Sequence, residues 1–86
     1  MHFHYVYVLR SVKDGDLYVG MTSDLRARLA LHQSGRVKST KDRRPLELLY
    51  YEACRGILDA ARREKYLKSS WGKRFVKARL RDYLTG

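Results

Sequence analysis

Hydrophobic residues cluster in three short runs that predict β-strands. Each run is rich in the β-branched and aromatic residues typical of strands: YVYVLR at 5–10, LYVGM at 17–21 and LELLYYE at 46–52. Asp14-Gly15, between the first two runs, favours a tight hairpin turn. A basic loop over residues 36–45, which ends at Pro45, precedes the third run. We therefore expect a hairpin followed by a separate third strand.

A change to helical spacing predicts a first helix directly after the hairpin. One stripe of this helix takes the i, i+4 and i+7 positions Leu25, Leu29 and His32. Thr22 or Ser23 can cap its N-terminus, with Asp24 favourable in its first turn. Gly35 is a typical residue for its end.

The C-terminal part of the chain predicts two more helices, over about 57–70 and 73–84, with Gly72 expected to break or bend the segment between them. The element order is then β-β-α-β-α-α. It indicates an α/β sandwich of the α+β type, in which helices flank a small three-stranded, mostly antiparallel sheet. At 86 residues, the chain (1–86) is expected to form a single domain with a small core.

The hairpin turn also predicts which side chains share a face of the sheet. A turn centred on Asp14-Gly15 pairs residues whose numbers sum to 29, so Tyr18 faces Ser11 and Gly20 faces Leu9. Side chains alternate along a strand with a period of two. One face should therefore carry Tyr5, Tyr7, Tyr18 and Gly20, and the other Val6, Val8 and Val19. Gly20 within a strand indicates a bulge or the close approach of another group.

An acidic residue lies within the apolar stripe of the second helix. That stripe consists of Ile57, Ala60, Ala61, Glu64, Leu67 and Trp71. An isolated buried carboxylate is costly, so Glu64 is expected to have a partner. One interpretation is a buried ion pair with an arginine such as Arg28. The other is a ligand for a hard divalent cation, which prefers oxygen. Trp71, at the end of the stripe, is read as a core residue rather than as a base-stacking platform.

Arg28 and His32 lie one helical turn apart beside the first helix's apolar stripe. They either solvate the surface and fill a helix edge or face a cleft. Tyr7 and Tyr18 likewise either build the core or contribute hydroxyl groups to a site. The spacing of these residues does not choose between the readings.

The charge is large, positive and unevenly distributed. Nineteen Lys and Arg against nine Asp and Glu give a formal net charge of +10. Residues 1–34 carry a net +1 and residues 35–86 a net +9. A concentrated positive charge is typical of proteins that bind polyanions, although it is also compatible with a merely solubilising surface. Charge alone does not distinguish DNA from RNA.

Several basic residues are candidates for contact with nucleic-acid phosphates. Most lie in or after the 36–45 loop; the set is Arg26, Lys38, Lys41, Arg43, Arg44, Lys68, Lys73 and Arg74. Cys54 is the only cysteine, which excludes an internal disulfide and a cysteine-rich zinc site. No apolar run approaches the ~20 residues of a membrane span, and the N-terminus lacks a secretory pattern. We therefore expect a cytoplasmic protein that does not enter a membrane and is monomeric by default.

Five elements of the sequence, in order, resemble the GIY-YIG nuclease superfamily, over about residues 5 to 77. The first signature reads YVY at 5–7 and the second YVG at 18–20. Arg28 stands eight residues after Gly20, His32 follows four later, and Glu64 lies in AARREKYLK. Tyr5 replaces the first signature's glycine, as is common among the small, stand-alone bacterial members that this chain resembles most.

The resemblance implies a metal-dependent endonuclease that hydrolyses phosphodiester bonds, in single-stranded or structured DNA among other candidates, with DNA repair as one family role. It implies that Glu64 holds one Mg²⁺ or Mn²⁺ and that Tyr7 deprotonates or orients the attacking water. It also implies that Arg28 stabilises charge on the scissile phosphate, while Tyr18 and His32 position groups or relay protons. The rival hypothesis is a non-catalytic, basic nucleic-acid-binding module that retains the fold. A protein-binding or ribosome-associated domain is a third reading.

Overall fold

A computed structural model describes residues 2–86 of the chain. Its elements are β1 (His4–Ser11), β2 (Leu17–Thr22), α1 (Leu25–Gln33), β3 (Leu46–Cys54), α2 (Ile57–Lys68), α3 (Ser70–Arg79) and α4 (Arg81–Thr85), with a short 3-10 helix at Lys41–Arg43. The three strands form one antiparallel sheet in the order β2-β1-β3. This confirms the predicted α+β fold and its β-β-α-β-α-α order, to which the structure adds the short α4. No helix within residues 2–86 is both long and apolar enough to cross a membrane.

The predicted hairpin register is wrong by two residues. Partners in β1 and β2 have numbers that sum to 27, so Tyr7 pairs with Gly20 and Leu9 with Tyr18. The connection is not a two-residue turn: the Gly15 amide donates to the Ser11 carbonyl, and the Ser11 amide donates to the Asp16 carbonyl. Gly15 takes a φ of 78° in this longer loop, a conformation that glycine adopts without strain. A shift of two residues leaves each side chain on its predicted face.

Two layers of helix cover the two faces of the sheet. On one face, α2 and α3 bury an apolar cluster of Val6, Val8, Val19, Ala60, Leu67 and Val76. On the other, α1 covers a cluster built on Tyr7, Leu9 and Leu46, with Leu25 and Leu29 packed against it. The functional candidates of β1 and α1 thus lie in the second layer, while Glu64 belongs to the first.

The helix boundaries correct three predictions. Asp24, not Thr22 or Ser23, caps α1, and its carboxylate accepts a hydrogen bond from the Ala27 amide at 3.0 Å. The break after α2 occurs at Ser69, which caps α3 by accepting from the Gly72 amide. Gly72 therefore lies inside α3, where a Cβ would collide with the α2 backbone at Tyr66 and Leu67.

Two residues of the apolar stripe predicted for the second helix are exposed, which corrects the sequence-based prediction. Trp71 was expected in the core but is 66% exposed, and Ile57 is also exposed. The Ser69 break turns α3 away from the axis of α2, so the stripe cannot continue to Trp71. The Arg74 guanidinium lies 5.0 Å from the centre of the Trp71 ring instead.

Candidate functional site

Tyr7, on the central strand β1, lies opposite Gly20 of the edge strand β2. The two residues are direct cross-strand partners, and Tyr7 is fully buried. A Cβ at position 20 would collide with the Tyr7 hydroxyl and ring. Of the two readings of Gly20, a bulge or a close approach, the structure shows the close approach. Because β2 is an edge strand, the missing side chain allows the Tyr7 hydroxyl to extend towards that edge.

Two side chains of α1 converge on the Tyr7 hydroxyl. Arg28 Nε donates a hydrogen bond to Tyr7 Oη at 3.4 Å, and His32 Nε2 lies 2.8 Å from the same oxygen. The spacing of four residues places both on one side of α1. His32 is fully buried, so it does not solvate the surface.

The His32 ring packs edge-on against both tyrosines of the two signatures. Its centre lies 5.6 Å from that of Tyr7 and 5.3 Å from that of Tyr18. The two phenol rings are 6.5 Å apart. Tyr18 is only partly buried. The hydrogen bond to Tyr7 and, to a smaller extent, the nearby Tyr18 raise the pKa of the Arg28 guanidinium. Tyr7, Tyr18, Arg28 and His32 therefore form one contiguous cluster.

Thr40 completes the cluster and was not identified from the sequence. Its Oγ1 lies 2.8 Å from His32 Nδ1, on the opposite side of the ring from Tyr7. Thr40 is fully buried although it belongs to the basic loop. A single threonine among polar loop residues carries no periodic or motif signal, and only the folding of this loop over α1 brings it to His32.

Burial sets the protonation of the cluster in the free protein. Burial, opposed by the hydrogen bond from Arg28, raises the pKa of Tyr7, and the nearby Tyr18 and Glu64 raise it further. Burial and the Arg28 charge lower the pKa of His32. Tyr7 is therefore protonated and His32 neutral at pH 7. A neutral imidazole carries one N–H, so His32 donates from one nitrogen and accepts at the other.

Glu64 reaches the same edge of the sheet from the opposite layer. Its side chain is 25% exposed and lies 3.4 Å from Lys68 Nζ. The expected ion pair with Arg28 is absent from the described residues, and Lys68 takes that place one turn along α2. The Glu64 charge is still close enough to Tyr7 to raise the pKa of its hydroxyl. The acid and the phenol thus lie on different faces yet within electrostatic reach.

The donor set at Glu64 fits a weakly held divalent cation. Within residues 2–86, no three His, Cys, Asp or Glu side chains lie together as a ready-made metal site. Mg²⁺ commonly needs only one or two carboxylates, because waters and substrate phosphates supply its remaining ligands. Glu64, partly exposed at the edge, meets that requirement. A closed, all-protein metal cage is not built here.

The candidate phosphate-binding residues divide into two groups. Arg43, Arg44 and Lys68 already have partners: Arg43 pairs with Asp14 and Asp16, Arg44 donates to backbone carbonyls, and Lys68 pairs with Glu64. The remainder are exposed on the surface: Arg26, Lys38, Lys41, Lys73 and Arg74. The second group is available for phosphate contact, whereas Arg43 holds the basic loop against the hairpin.

Comparison with protein families shows to which family the chain belongs. The model of the GIY-YIG catalytic domain matches residues 3–82. The chain belongs to the GIY-YIG family. The tyrosines and Gly20 that converge in the structure are those of the two GIY-YIG signatures.

Relatives within the GIY-YIG family cover most of the chain. The UPF0213 protein of Bacillus pumilus is 43% identical over 74 residues, which are 85% of this chain and 74% of the relative. The UPF0213 protein of Staphylococcus haemolyticus is 43% identical over 67 residues, 77% of this chain and 80% of the relative. The solution NMR structure of a UPF0213 protein from Bacillus halodurans matches with a TM-score of 0.56 at 35% identity. It covers 88% of this chain and 83% of its own.

Proposed function

We propose that the protein is a metal-dependent endonuclease that hydrolyses phosphodiester bonds in DNA. Membership of the GIY-YIG family supports nuclease chemistry. The observation that carries the proposal is convergence: Arg28 Nε and His32 Nε2 both contact the Tyr7 hydroxyl beside Gly20. Burial and, last among the causes, the Glu64 charge from the opposite layer raise the pKa of that hydroxyl. Core packing requires neither a guanidinium nor a carboxylate. A phosphate requires the positive charge of Arg28, and a cation requires the negative charge of Glu64.

Arg28 binds the scissile phosphate in this proposal. Its side chain is partly exposed, and its Nε–H donates a hydrogen bond to the Tyr7 hydroxyl, which orients the guanidinium. A planar guanidinium offers several donors to phosphate oxygens and can stabilise the charge that develops on them. Tyr18, partly exposed beside Arg28, contacts the same phosphate or the attacking water.

Glu64 would hold the Mg²⁺ or Mn²⁺ ion, together with water and the phosphate itself. When bound, the cation supplies charge neutralisation at the phosphate. Lys68 lies 3.4 Å from the Glu64 carboxylate and competes with the cation for it. We therefore expect weak cation binding by the free protein and tighter binding in the presence of DNA.

Tyr7 is the proposed base for the attacking water. The base form is the phenolate, which takes one proton from water as the water oxygen bonds to phosphorus; the opposite P–O bond breaks, and the sugar alkoxide that leaves takes a proton from solvent. Burial opposes this role by raising the pKa of Tyr7. The hydrogen bond from Arg28 favours the phenolate. Catalysis should therefore increase with pH through the neutral and mildly alkaline range.

DNA is the proposed partner because of the family and the charge. Exposed Lys73 and Arg74 on α3, and Lys38 and Lys41 in the basic loop, can contact phosphates on either side of the site. Phosphate contacts of this kind do not read sequence. We accordingly propose little base specificity, with single-stranded or branched DNA as the first substrates to test.

Two observations favour the second candidate, a non-catalytic nucleic-acid-binding module. Tyr7 is fully buried, and no ready-made group of three metal ligands exists within residues 2–86. A domain that retained the fold but had lost cleavage would still present the same basic surface.

A substrate panel distinguishes the two candidates. Purified protein is incubated with end-labelled single-stranded, double-stranded and branched DNA and with RNA, each with Mg²⁺, Mn²⁺ or a chelator. We expect metal-dependent products from at least one DNA, and none from the Glu64→Ala variant. Salt-sensitive binding of every substrate without metal-dependent products would instead establish the binding module.

A further inference from the structure

A cavity of about 430 Å³ lies between the β1–β2 hairpin and the helices α3 and α4. Its lining includes Arg10 and Leu17 from the sheet and Lys73, Lys77 and Arg81 from the helices. Leu17 packs against the apolar cluster beneath α2 and α3, so the cavity lies on the face of the sheet opposite Tyr7. We call this cavity the hairpin groove.

Unpaired positive charge lies along the helical wall of the hairpin groove. Lys73 and Lys77 are exposed and one turn apart on α3, and neither pairs with an acidic side chain within residues 2–86. Arg81 lies 3.9 Å from Asp82, and both side chains are highly exposed, so this pair is weak. Arg74 packs on Trp71 instead and does not line the groove. The structure therefore separates Lys73 from its neighbour in the sequence.

The charged residues on the sheet side of the groove already have partners. Arg10 donates a hydrogen bond to the Glu47 carboxylate at 2.7 Å. Asp16, the carboxylate among the lining residues, pairs with Arg43 at 3.1 Å. Because Asp16 is paired, it leaves the two lysines of α3 available to an external anion.

The hairpin groove also presents apolar surface. Leu17 and Leu84 line it, and both are partly exposed. An inorganic anion gains nothing from leucine, whereas a nucleotide combines a phosphate with an apolar base face and sugar. A cavity of this size suits a ligand of nucleotide size. A duplex stacks its base faces inside, so an unpaired nucleotide matches the groove better.

The hairpin groove adjoins the catalytic cluster through β2. Leu17 lines the groove, and the next residue, Tyr18, packs against His32 in the cluster. Successive side chains of a strand point to opposite faces, and β2 is an edge strand. A DNA strand that lies in the groove can therefore reach the cluster around this edge. Glu64, on α2, belongs to the same face as the groove.

We propose that the hairpin groove binds unpaired nucleotides of the DNA strand that is cut, next to the scissile phosphate. Lys73 and Lys77 contact the phosphates, and Leu17 and Leu84 contact a base or sugar. The position of the cut rests on the proposed nuclease function, whereas binding of the strand does not. The preferred substrates are then single-stranded DNA and branched DNA with a single-stranded segment beside the cut.

A ¹⁵N NMR titration locates the bound strand. The full chain is titrated, in a chelator, with a short single-stranded DNA and with a blunt duplex of the same sequence. We expect the single strand to shift the amide signals of Gly15, Leu17 and Leu84, which line the groove, and the duplex to shift them much less. A single strand that binds without shifting these three signals overturns the proposal, as do equal shifts with the duplex.

Replacing both lysines measures their share of the affinity. Lys73→Gln/Lys77→Gln removes two positive charges from the groove, and Arg55→Gln/Arg62→Gln removes two from exposed positions outside it. Each lost phosphate contact lowers the slope of log K against log salt concentration by about 0.7 for a single strand. We expect a slope shallower by about 1.4 in the groove variant and the parent slope in the control. The parent slope in the groove variant, or an equal fall in both variants, overturns the proposal. Circular dichroism monitors the fold.

Cleavage separates this proposal from the nuclease function. The groove holds substrate and transition state alike, so we expect the groove variant to raise KM about tenfold with little change in kcat. Cleavage by this variant with the parent KM overturns the groove while the nuclease function stands. A parent that binds single strands in the groove but cuts no substrate contradicts the nuclease function and supports the groove.

Discussion

The two faces of the sheet are built differently. Among residues 2–86, the fully buried side chains in the cluster on the α2/α3 face are aliphatic, such as Val8 and Leu67, with Tyr50 and Phe75 partly buried against them. The α1 face buries a phenol, an imidazole and a hydroxyl joined by hydrogen bonds, at Tyr7, His32 and Thr40. The first arrangement maximises the hydrophobic contribution. The α1 face has a smaller hydrophobic contribution but positions polar groups through directional hydrogen bonds. We infer that the α2/α3 face contributes most of the stability and that the α1 face carries the reactive groups.

The largest expected effect is on stability, from the aliphatic face. Leu67→Ala removes a fully buried side chain of α2 and should lower the free energy of unfolding by about 2–5 kcal/mol. Urea denaturation measures it. Leu58→Ala, on an exposed leucine of the same helix, is the control and should change little. A loss of under about 0.5 kcal/mol in Leu67→Ala would contradict the assignment of stability to this face.

The next effect should appear in catalysis without a matching loss of stability. Arg28→Ala removes the proposed phosphate ligand, and a loss of one such donor typically costs about 10²–10³ in kcat. Arg55→Ala, on an exposed arginine that is not among the candidate phosphate contacts, serves as the control. Single-turnover cleavage would measure both variants. Equal rates for Arg28→Ala and the parent would remove Arg28 from the site.

Gly20→Ala tests the close contact between β2 and Tyr7 on the α1 face of the sheet. The added methyl group would collide with the Tyr7 hydroxyl and ring, so that the ring must move away from Arg28 and His32. We expect a stability loss of about 1–3 kcal/mol together with reduced cleavage. Gly15→Ala is the comparison for the same hairpin: its Cβ would meet nothing, so only backbone strain at its positive φ should lower stability, and cleavage should stay at the parent rate. Cleavage at the parent rate by Gly20→Ala would show that the position of Tyr7 does not matter.

The smallest effect is a pH dependence that reports on His32. Its pKa in the folded state is lowered, so the unfolded state binds the proton more readily. Stability should therefore decrease as the pH falls below about 6.5, the unfolded value. Thermal unfolding between about pH 7.5 and 5 measures the decrease. His32→Gln should remove it and His4→Gln should retain it. The same pH dependence in His32→Gln and the parent would contradict a buried, neutral His32.

Local patterns predicted the elements but not their ends or the hairpin register. The strand runs and the apolar spacings identified the three strands and three of the four helices because each element has a strong periodicity. The register depended on the turn type, which Asp14-Gly15 indicated incorrectly because the actual loop is longer. The Gly72 break was wrong because this glycine serves close helix packing instead.

The site was predictable as far as the motif residues extended. Tyr7, Tyr18, Arg28 and His32 do come together, since the hairpin faces and the helix stripe fix their relative positions. Thr40 could not be found in this way because its place depends on how an irregular loop folds over α1. The Glu64–Lys68 pair was missed although its i, i+4 spacing on a helix indicates it. Whether Arg28 reaches Glu64 depends on tertiary distance, which spacing does not give.

The most direct test of a site formed between the two layers is Glu64→Ala compared with Asp59→Ala. Both variants remove one carboxylate from α2, but Asp59 is exposed and pairs with Arg62. Cleavage and binding of labelled DNA are measured for both in Mg²⁺. We predict that Glu64→Ala loses about 10²-fold or more in cleavage rate while it binds DNA and remains folded, and that Asp59→Ala matches the parent. Cleavage by Glu64→Ala at the parent rate would contradict the account.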